Sequence, residues 1–364
     1  MHKTAAWPLA LIYTALIVYA SLYPFEGWRY VGIAPWSFLG APLPRYWTGF
    51  DVVANLAGYA PLGFLLALSA LRTNPRLPAV LLATVGAALL SLAMESLQTY
   101  LPKRVASNVD LTLNLAGAWL GALAAFGLEK AGAIARWSRF RDRWFVAASR
   151  GALVLLALWP VALLFPASVP FGLGQVLERL EEALADWLAD TPFLQWVPVR
   201  EVELEPLLPG AELLCVMLGA LIPCLLAYSI SLGVGRRLAL AAGGLAAGVV
   251  VSALSAALSY GPAHAWAWLS LPVQVGLGAA LLLALPLAAV PRRACAALTL
   301  LALVVHLSLL NNAPVGAYFA QTLQVWEQGR FIRFNGLAQW LGWLWPYAAL
   351  VYVLLRLSGP EGKT

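Results

Sequence analysis

Long apolar runs separated by short polar stretches recur along the whole chain. Each run is roughly 17 to 25 residues long, which lets an α-helix cross a hydrocarbon core of about 30 Å. A helix also satisfies its own backbone hydrogen bonds in lipid, where no water competes for them. The pattern predicts ten helices, near residues 7–23, 52–71, 77–99, 111–128, 148–166, 211–231, 238–258, 266–290, 294–310 and 338–357.

The composition supports this interpretation. Hydrophobic residues make up 62% of the chain and charged residues only 11%, whereas about 25% of the residues of an ordinary soluble domain are charged. Many of the 16 tryptophans lie near the ends of the apolar runs, as in the aromatic belts at membrane interfaces. We therefore expect an all-α, polytopic integral membrane protein with about ten transmembrane helices.

The formal net charge of +6 comes from basic residues that concentrate in short segments on one side of the predicted helices. Lys and Arg in short loops mark the cytoplasmic side. An even number of helices places both termini on that same side, so both termini are predicted to be cytoplasmic. Topology explains the positive charge, and the expected partners are membrane lipids rather than nucleic acid.

Two charged stretches organise the chain. The basic segment 129–150 separates a four-helix unit, residues 1–128, from a six-helix unit, residues 151–364. Within the second unit, the acidic segment 167–209 is predicted to be an extracytoplasmic loop. Leucines and Trp187 recur there at helical spacing, which indicates a helix with one packed face. An interfacial or lid-like helix is the alternative.

Polar residues converge at the outer end of the first unit. Ionisable residues at membrane depth are costly, so such a cluster is a candidate functional site. Three pairs have spacings that place both members on one helix face: Asp51 with Asn55, Glu95 with Gln98, and Asp110 with Asn114. The loop between the third and fourth helices adds Lys103, Arg104, Ser107 and Asn108 on the same side.

The second and fourth helices share the pattern Asp-x3-Asn-Leu-Ala-Gly, at residues 51–58 and 110–117. The repeat predicts an equivalent pair of helices in which Gly58 and Gly117 permit close approach to a neighbour. Asp residues at helix starts are also common caps that complement the helix dipole. Capping does not explain Glu95, which lies near the end of its helix.

The ordered set of polar and turn residues resembles the VanZ-like family over about residues 8–128. The residues that carry the resemblance are Asp51, Asn55, Tyr59, Pro61, Leu62, Gly63, Glu95, Gln98, Arg104, Ser107, Asp110, Asn114 and Gly117. One branch of the family has Lys and His at the positions of Val52 and Asn55. The Asn and the Pro-Leu-Gly present here are those of the branch nearer the founding member. Typical members lack the six further helices.

The resemblance implies a function at the cell envelope, and it implies that the chain is a multi-pass protein of the bacterial cytoplasmic (inner) membrane. The founding branch lowers sensitivity to the lipoglycopeptide teicoplanin, by reducing drug association at the cell surface. We therefore expect the outward-facing cluster to bind a lipid-linked envelope component or a lipoglycopeptide. Arg104 and Lys103 would meet its phosphate or carboxylate groups, and Asn55, Gln98 and Asn114 would hydrogen-bond its sugar or peptide.

Three other interpretations stay open at this stage. In an enzyme, two of Asp51, Glu95 and Asp110 would act as acid and base on an envelope lipid head group, or would share Mg²⁺ or Ca²⁺. In a purely structural role, Arg104 would pair with Glu95 or Asp110 to fix helix packing. A transporter would need polar groups and broken helices at mid-membrane. Beyond that cation, the sequence assigns no cofactor and no catalytic residue.

Two imidazoles and three thiols outside the cluster are expected to pack rather than react. His264 and His306 lie far from the cluster in sequence, and Cys215, Cys224 and Cys295 lie inside apolar runs without the spacing of a metal or redox site. A small buried hydrophobe is the simplest role for such a cysteine.

Overall fold

The computed structural model of the protein describes residues 6–23, 25–43, 49–74, 78–102, 104–165, 167–196, 204–314 and 332–359. Within these ranges the chain forms twelve α-helices. The same residues form no strand beyond an isolated bridge between Phe145 and Ser231. The predicted all-α class is confirmed.

The helices are numbered in chain order. They are α1 (Ala6–Leu22), α2 (Gly49–Thr73), α3 (Ala79–Gln98), α4 (Asn108–Lys130), α5 (Ala133–Trp144), α6 (Arg150–Ala162), α7 (Leu177–Leu188), α8 (Pro209–Ile230), α9 (Val234–Tyr260), α10 (Leu271–Leu287), α11 (Arg292–Asn311) and α12 (Ile332–Ser358).

Each of the ten predicted helices has a counterpart, and α5 and α7 are additional. In the described part of the chain, seven helices are long and apolar enough to cross a membrane: α2, α3, α4, α8, α9, α11 and α12. The other three, α1, α6 and α10, are apolar but have only 17, 13 and 17 residues. The number and apolar character of these helices make this a multi-pass membrane protein.

Two helices are shorter than predicted because of proline. Helix α6 ends at Ala162, soon after Pro160, and Pro166 follows in the sequence, which disfavours helical geometry in the residue before it. Helix α10 begins at Leu271 with Pro272 in its first turn. Proline is well tolerated there because the first amides of a helix have no intrahelical partner.

The contacts divide the chain into two compact units, Met1–Phe140 and Arg141–Thr364. In the first unit, α2 and α4 run in the same direction. The Asn55 amide donates to the Asp110 carboxylate near their starts, at 2.8 Å, and Arg72 pairs with Glu129 near their ends, at 3.9 Å. Helix α3 runs back between these two ends of the unit.

Small residues let α2 and α4 approach closely. A Cβ atom on Gly117 would lie 2.3 Å from the carbonyl oxygen of Leu56, and one on Gly121 would lie 1.9 Å from that of Ala60. Gly117 therefore has the predicted packing role. The same prediction for Gly58 is wrong, because a Cβ there would meet nothing within 4 Å.

In the second unit, α8 is the central helix, and 83% of an apolar stretch of 18 residues within it is buried. The segment 167–176 packs into this unit, and Val169, Phe171 and Leu173 are buried. The Asn311 side chain secures it by donating to the Gly174 carbonyl at 3.0 Å. The first part of the predicted acidic loop is thus a buried, irregular segment. Irregular backbone is tolerated at membrane depth where it is buried within the protein, because lipid cannot satisfy its hydrogen bonds.

The leucine spacing correctly predicts a helix, which is α7. The prediction that its leucine face is packed is wrong. Leu177, Leu180, Leu184 and Trp187 are 40%, 52%, 37% and 79% exposed. The Arg179 guanidinium lies 5.0 Å from the Trp343 ring and connects α7 to α12. The exposed apolar face fits the interfacial alternative, in which lipid covers such a face.

Candidate functional site

A chain of hydrogen bonds links three helix ends of the first unit. The backbone N–H of Ser107 donates to Glu95 Oε2 at 2.9 Å. The Ser107 Oγ accepts from the backbone N–H of Asp110 at 3.4 Å, and Asp110 Oδ1 accepts from Asn55 Nδ2 at 2.8 Å. Four of the eight predicted site residues therefore form one network that runs from α3 through α4 to α2.

The local sequence explains why this network forms. Ser107 has extended backbone angles and is the N-cap of α4, where its hydroxyl accepts from the amides of Val109 and Asp110. The Asp110 carboxylate lies in the first turn of α4, where the helix dipole stabilises negative charge. Glu95 is only 4% exposed, and such a buried carboxylate needs donors that replace water. The Ser107 amide is one of them.

Gln98 and Arg104 bind the end of α1. Gln98 Nε2 donates to the Ser21 carbonyl at 3.0 Å. Arg104 Nη2 donates to the carbonyls of Ala20 and Tyr23, at 3.3 and 2.7 Å. The last carbonyls of a helix have no intrahelical partner and carry partial negative charge. These side chains therefore cap α1 and hold it against the cluster.

Asn114 lies one turn beyond Asp110 on α4 and is 5% exposed. Its Nδ2 donates to the fully buried Ser91 Oγ at 2.9 Å. The Asn114 Oδ1 is buried without a hydrogen-bond partner, and such an unpaired buried atom costs about 1 to 3 kcal/mol. It is a site where a polar ligand or water would gain a hydrogen bond. The hydroxyl of Tyr59, another buried residue, interacts with Ser91.

Two predicted residues remain, Asp51 and Lys103. Asp51 lies in the first turn of α2 and is partly buried. Lys103 lies outside the described residues. No three His, Cys, Asp or Glu side chains in the described ranges come together as a metal site.

A loop between α1 and α2 adjoins the cluster. Asn108 Nδ2 donates to the Ala41 carbonyl at 2.7 Å, and the Arg29 N–H donates to the Tyr100 carbonyl at 3.0 Å. The loop exposes large apolar side chains: Trp28 (44%), Tyr30 (71%), Trp36 (66%) and Leu43 (74%). We call residues 25–43 the aromatic loop. It adds an apolar rim to a polar cluster.

Sequence reasoning missed Ser91 and the aromatic loop. Ser91 precedes Glu95 by four residues and Gln98 by seven, so helical periodicity places it on the face of α3 that carries those side chains. The loop has no such signal, because its position depends on contacts with Tyr100 and Asn108 that are distant in sequence.

The structure describes two histidines and all three cysteines. His306 is 1% exposed and its Nδ1 lies 3.1 Å from the Cys215 carbonyl oxygen. Cys215, Cys224 and Cys295 are buried free thiols. These four residues are packing residues, as predicted. His264 lies in a short 3₁₀ turn and is exposed, so the packing prediction is wrong for it.

The VanZ/LLP1 family model matches residues 7–129. The match covers about a third of the chain, spans α1 to α4 and contains all eight predicted site residues. It confirms the resemblance that the ordered polar residues indicate, and this region is similar to a VanZ-like membrane domain. Neither the curated proteins nor the solved structures give a match to this chain.

Proposed function

We propose that residues 7–129 bind the polar head of a cell-envelope amphiphile at the polar cluster, and thereby lower sensitivity to teicoplanin. The amphiphile is a lipid-linked envelope component or the lipoglycopeptide itself. One observation carries the proposal: the network of Glu95, Ser107, Asp110 and Asn55 lies beside an aromatic loop with exposed apolar side chains. An amphiphile needs both kinds of surface.

The polar half of the site would recognise the head group. The cluster offers carboxylate acceptors, amide donors and the Arg104 guanidinium, which suits phosphate or carboxylate. Asn114 Oδ1 is buried without a partner. A sugar or peptide that reached it would satisfy a costly group, which favours binding.

The apolar half would hold the acyl or prenyl chain. Tyr30 and Trp36 are 71% and 66% exposed on the aromatic loop. Aromatic side chains of this kind prefer the interface between head groups and acyl chains. The membrane itself would keep the chain of the ligand close to this loop.

Binding fits the contacts better than catalysis does. Glu95 Oε2 and Asp110 Oδ1 accept hydrogen bonds within the network, which holds both carboxylates in place before any ligand arrives. The network can present their remaining acceptor sites to a head group as a preorganised surface.

The test is binding of labelled teicoplanin and of a lipid-linked disaccharide to the purified full chain in nanodiscs. Glu95→Gln keeps the shape and an acceptor oxygen but removes the charge. We expect it to weaken binding of the preferred probe about tenfold, on the scale of one charge-assisted hydrogen bond. Glu129→Gln removes a carboxylate from the other end of the same unit and is the matched control.

Three further results complete the test. A glycopeptide without an acyl chain should bind more weakly than teicoplanin, because it cannot use the apolar rim. Conversion of the lipid-linked probe, lost on Glu95→Gln, would favour an enzyme instead. If wild type binds neither probe, or if Glu95→Gln and Glu129→Gln bind alike, the proposal is wrong.

A further inference from the structure

A cavity of about 590 Å³ opens in the second unit, where α9 and α11 begin and α12 ends. Four arginines line it: Arg237, Arg292, Arg293 and Arg356. None of the described residues that line it is acidic. Small-molecule sites in proteins have volumes of about 300 to 1,000 Å³, so the cavity can hold a lipid head group.

Arg237 is the buried charge of this cavity, with 7% exposure. Its Nη1 donates to the carbonyls of Ala288 and Val290, and its guanidinium lies 5.9 Å from the Tyr228 ring. Its Nε is buried without a hydrogen-bond partner. A buried cation whose acceptors are neutral carbonyls is costly, and a nearby anion would offset that cost.

The other arginines surround the same space. Arg356 Nη2 donates to the Ser229 carbonyl at 2.8 Å, and Arg293 Nη2 donates to the Leu357 carbonyl at 3.4 Å. These bonds cap helix ends, and the positive-inside bias explains why basic residues occur in such loops. Neither effect explains why four arginines share one cavity with a buried, partly unpaired guanidinium.

Two helix starts add to the positive potential. Val234 and Arg292, the first residues of α9 and α11, both line the cavity. The first amides of a helix have no intrahelical acceptor, and the dipole is positive at that end. Arginine forks combined with helix starts match the tetrahedral, multiply charged oxygens of phosphate.

We propose that this cavity binds a phosphate group, supplied by an anionic membrane phospholipid or by free phosphate. The site is separate from the polar cluster of the first unit and independent of the function proposed for it. Bound phosphate would offset part of the charge of the four arginines and tie α9, α11 and α12 together, so it would raise the stability of the second unit by linkage.

The experiment uses the purified full chain in an uncharged maltoside detergent. Native mass spectrometry measures binding of dioleoylphosphatidylglycerol, with zwitterionic dioleoylphosphatidylcholine as the comparison. In parallel, the melting temperature is followed during titration with inorganic phosphate, against chloride at equal ionic strength. The two arms distinguish a lipid from free phosphate.

Two variants probe the cavity in different ways. Arg292→Gln removes one cation. Val234→Glu places a carboxylate at the start of α9, where it favours the helix but repels an anion. We expect each variant to weaken phosphate binding about tenfold, on the scale of one charge-assisted hydrogen bond. Arg236→Gln is the matched control, because it removes the same charge from a residue that does not line the cavity.

If phosphatidylglycerol binds more tightly than phosphatidylcholine, and both cavity variants weaken its binding, the cavity is a lipid site. If the two lipids bind alike, but inorganic phosphate raises the melting temperature and both cavity variants reduce that rise, the ligand is free phosphate. This result also supports the proposal. The proposal is overturned if neither probe binds selectively, or if both cavity variants bind like Arg236→Gln.

Discussion

At the residue scale, Asn55 and Asp110 join the starts of α2 and α4 through a 2.8 Å hydrogen bond. A bond to a charged group contributes about 1.5 to 3 kcal/mol. The sequence repeat correctly indicates that both helices present Asp and Asn at one end of the unit. It does not predict the diagonal pairing, because the partner of each side chain depends on how the helices are offset.

Exchange of the two residues tests this pairing. Asp110→Asn should destabilise the protein by about 1 to 3 kcal/mol, and Asn55→Asp should do so too because it faces two carboxylates toward each other. The double variant restores an amide facing a carboxylate, so most of the lost melting temperature should return in detergent. Strictly additive losses would show that the two side chains do not interact.

Arg104 shows where residue-level reasoning from the sequence was incomplete. Its charge and position indicate a ligand for an anion or a partner for a carboxylate. The structure shows that its Nη2 binds backbone carbonyls at the end of α1. Sequence patterns reveal side-chain chemistry, but a carbonyl left open at a helix end is visible only once the helices are placed.

At the element scale, the length of the apolar runs predicts all ten apolar helices, because run length is a local property of the sequence. The burial of segment 167–176 could not be predicted in this way. Its anchoring side chain, Asn311, is more than a hundred residues away, where it also accepts from the backbone N–H of Leu177 at 3.1 Å. Long-range capping of this kind leaves no periodic signal.

The α2–α4 contact gives a second prediction. Gly121→Val should lower the free energy of unfolding by about 1 to 3 kcal/mol, because the valine side chain would collide with the Ala60 backbone. Gly58→Val is the control, since a Cβ there meets nothing within 4 Å. Melting temperatures of the two variants should differ clearly, and equal melting temperatures would contradict the close packing of these helices.

At the scale of the whole molecule, the distribution of Lys and Arg predicts that the polar cluster faces outward. Val105, in the loop before α4, is 85% exposed. Arg139 on α5 is also exposed, and the charge pattern predicts that it lies in the cytoplasm. The three native cysteines are buried, which makes a cysteine-free background a reasonable starting point.

A cysteine at each position in that background tests the topology. A membrane-impermeant maleimide added to intact cells should label Val105→Cys and leave Arg139→Cys unlabelled until the membrane is opened. The reverse pattern would place the cluster in the cytoplasm and exclude an outward-facing site. Immunoblots of the membrane fraction check that both variants accumulate equally.

The most direct test of the central claim is complementation of a deletion strain, scored as sensitivity to teicoplanin. The chain should restore tolerance, and Glu129→Gln should act like wild type. Glu95→Gln and Asp110→Asn should fail to restore tolerance at equal membrane levels, because they alter the polar cluster. If all four proteins restore the same tolerance, the cluster is structural and the proposed function is wrong.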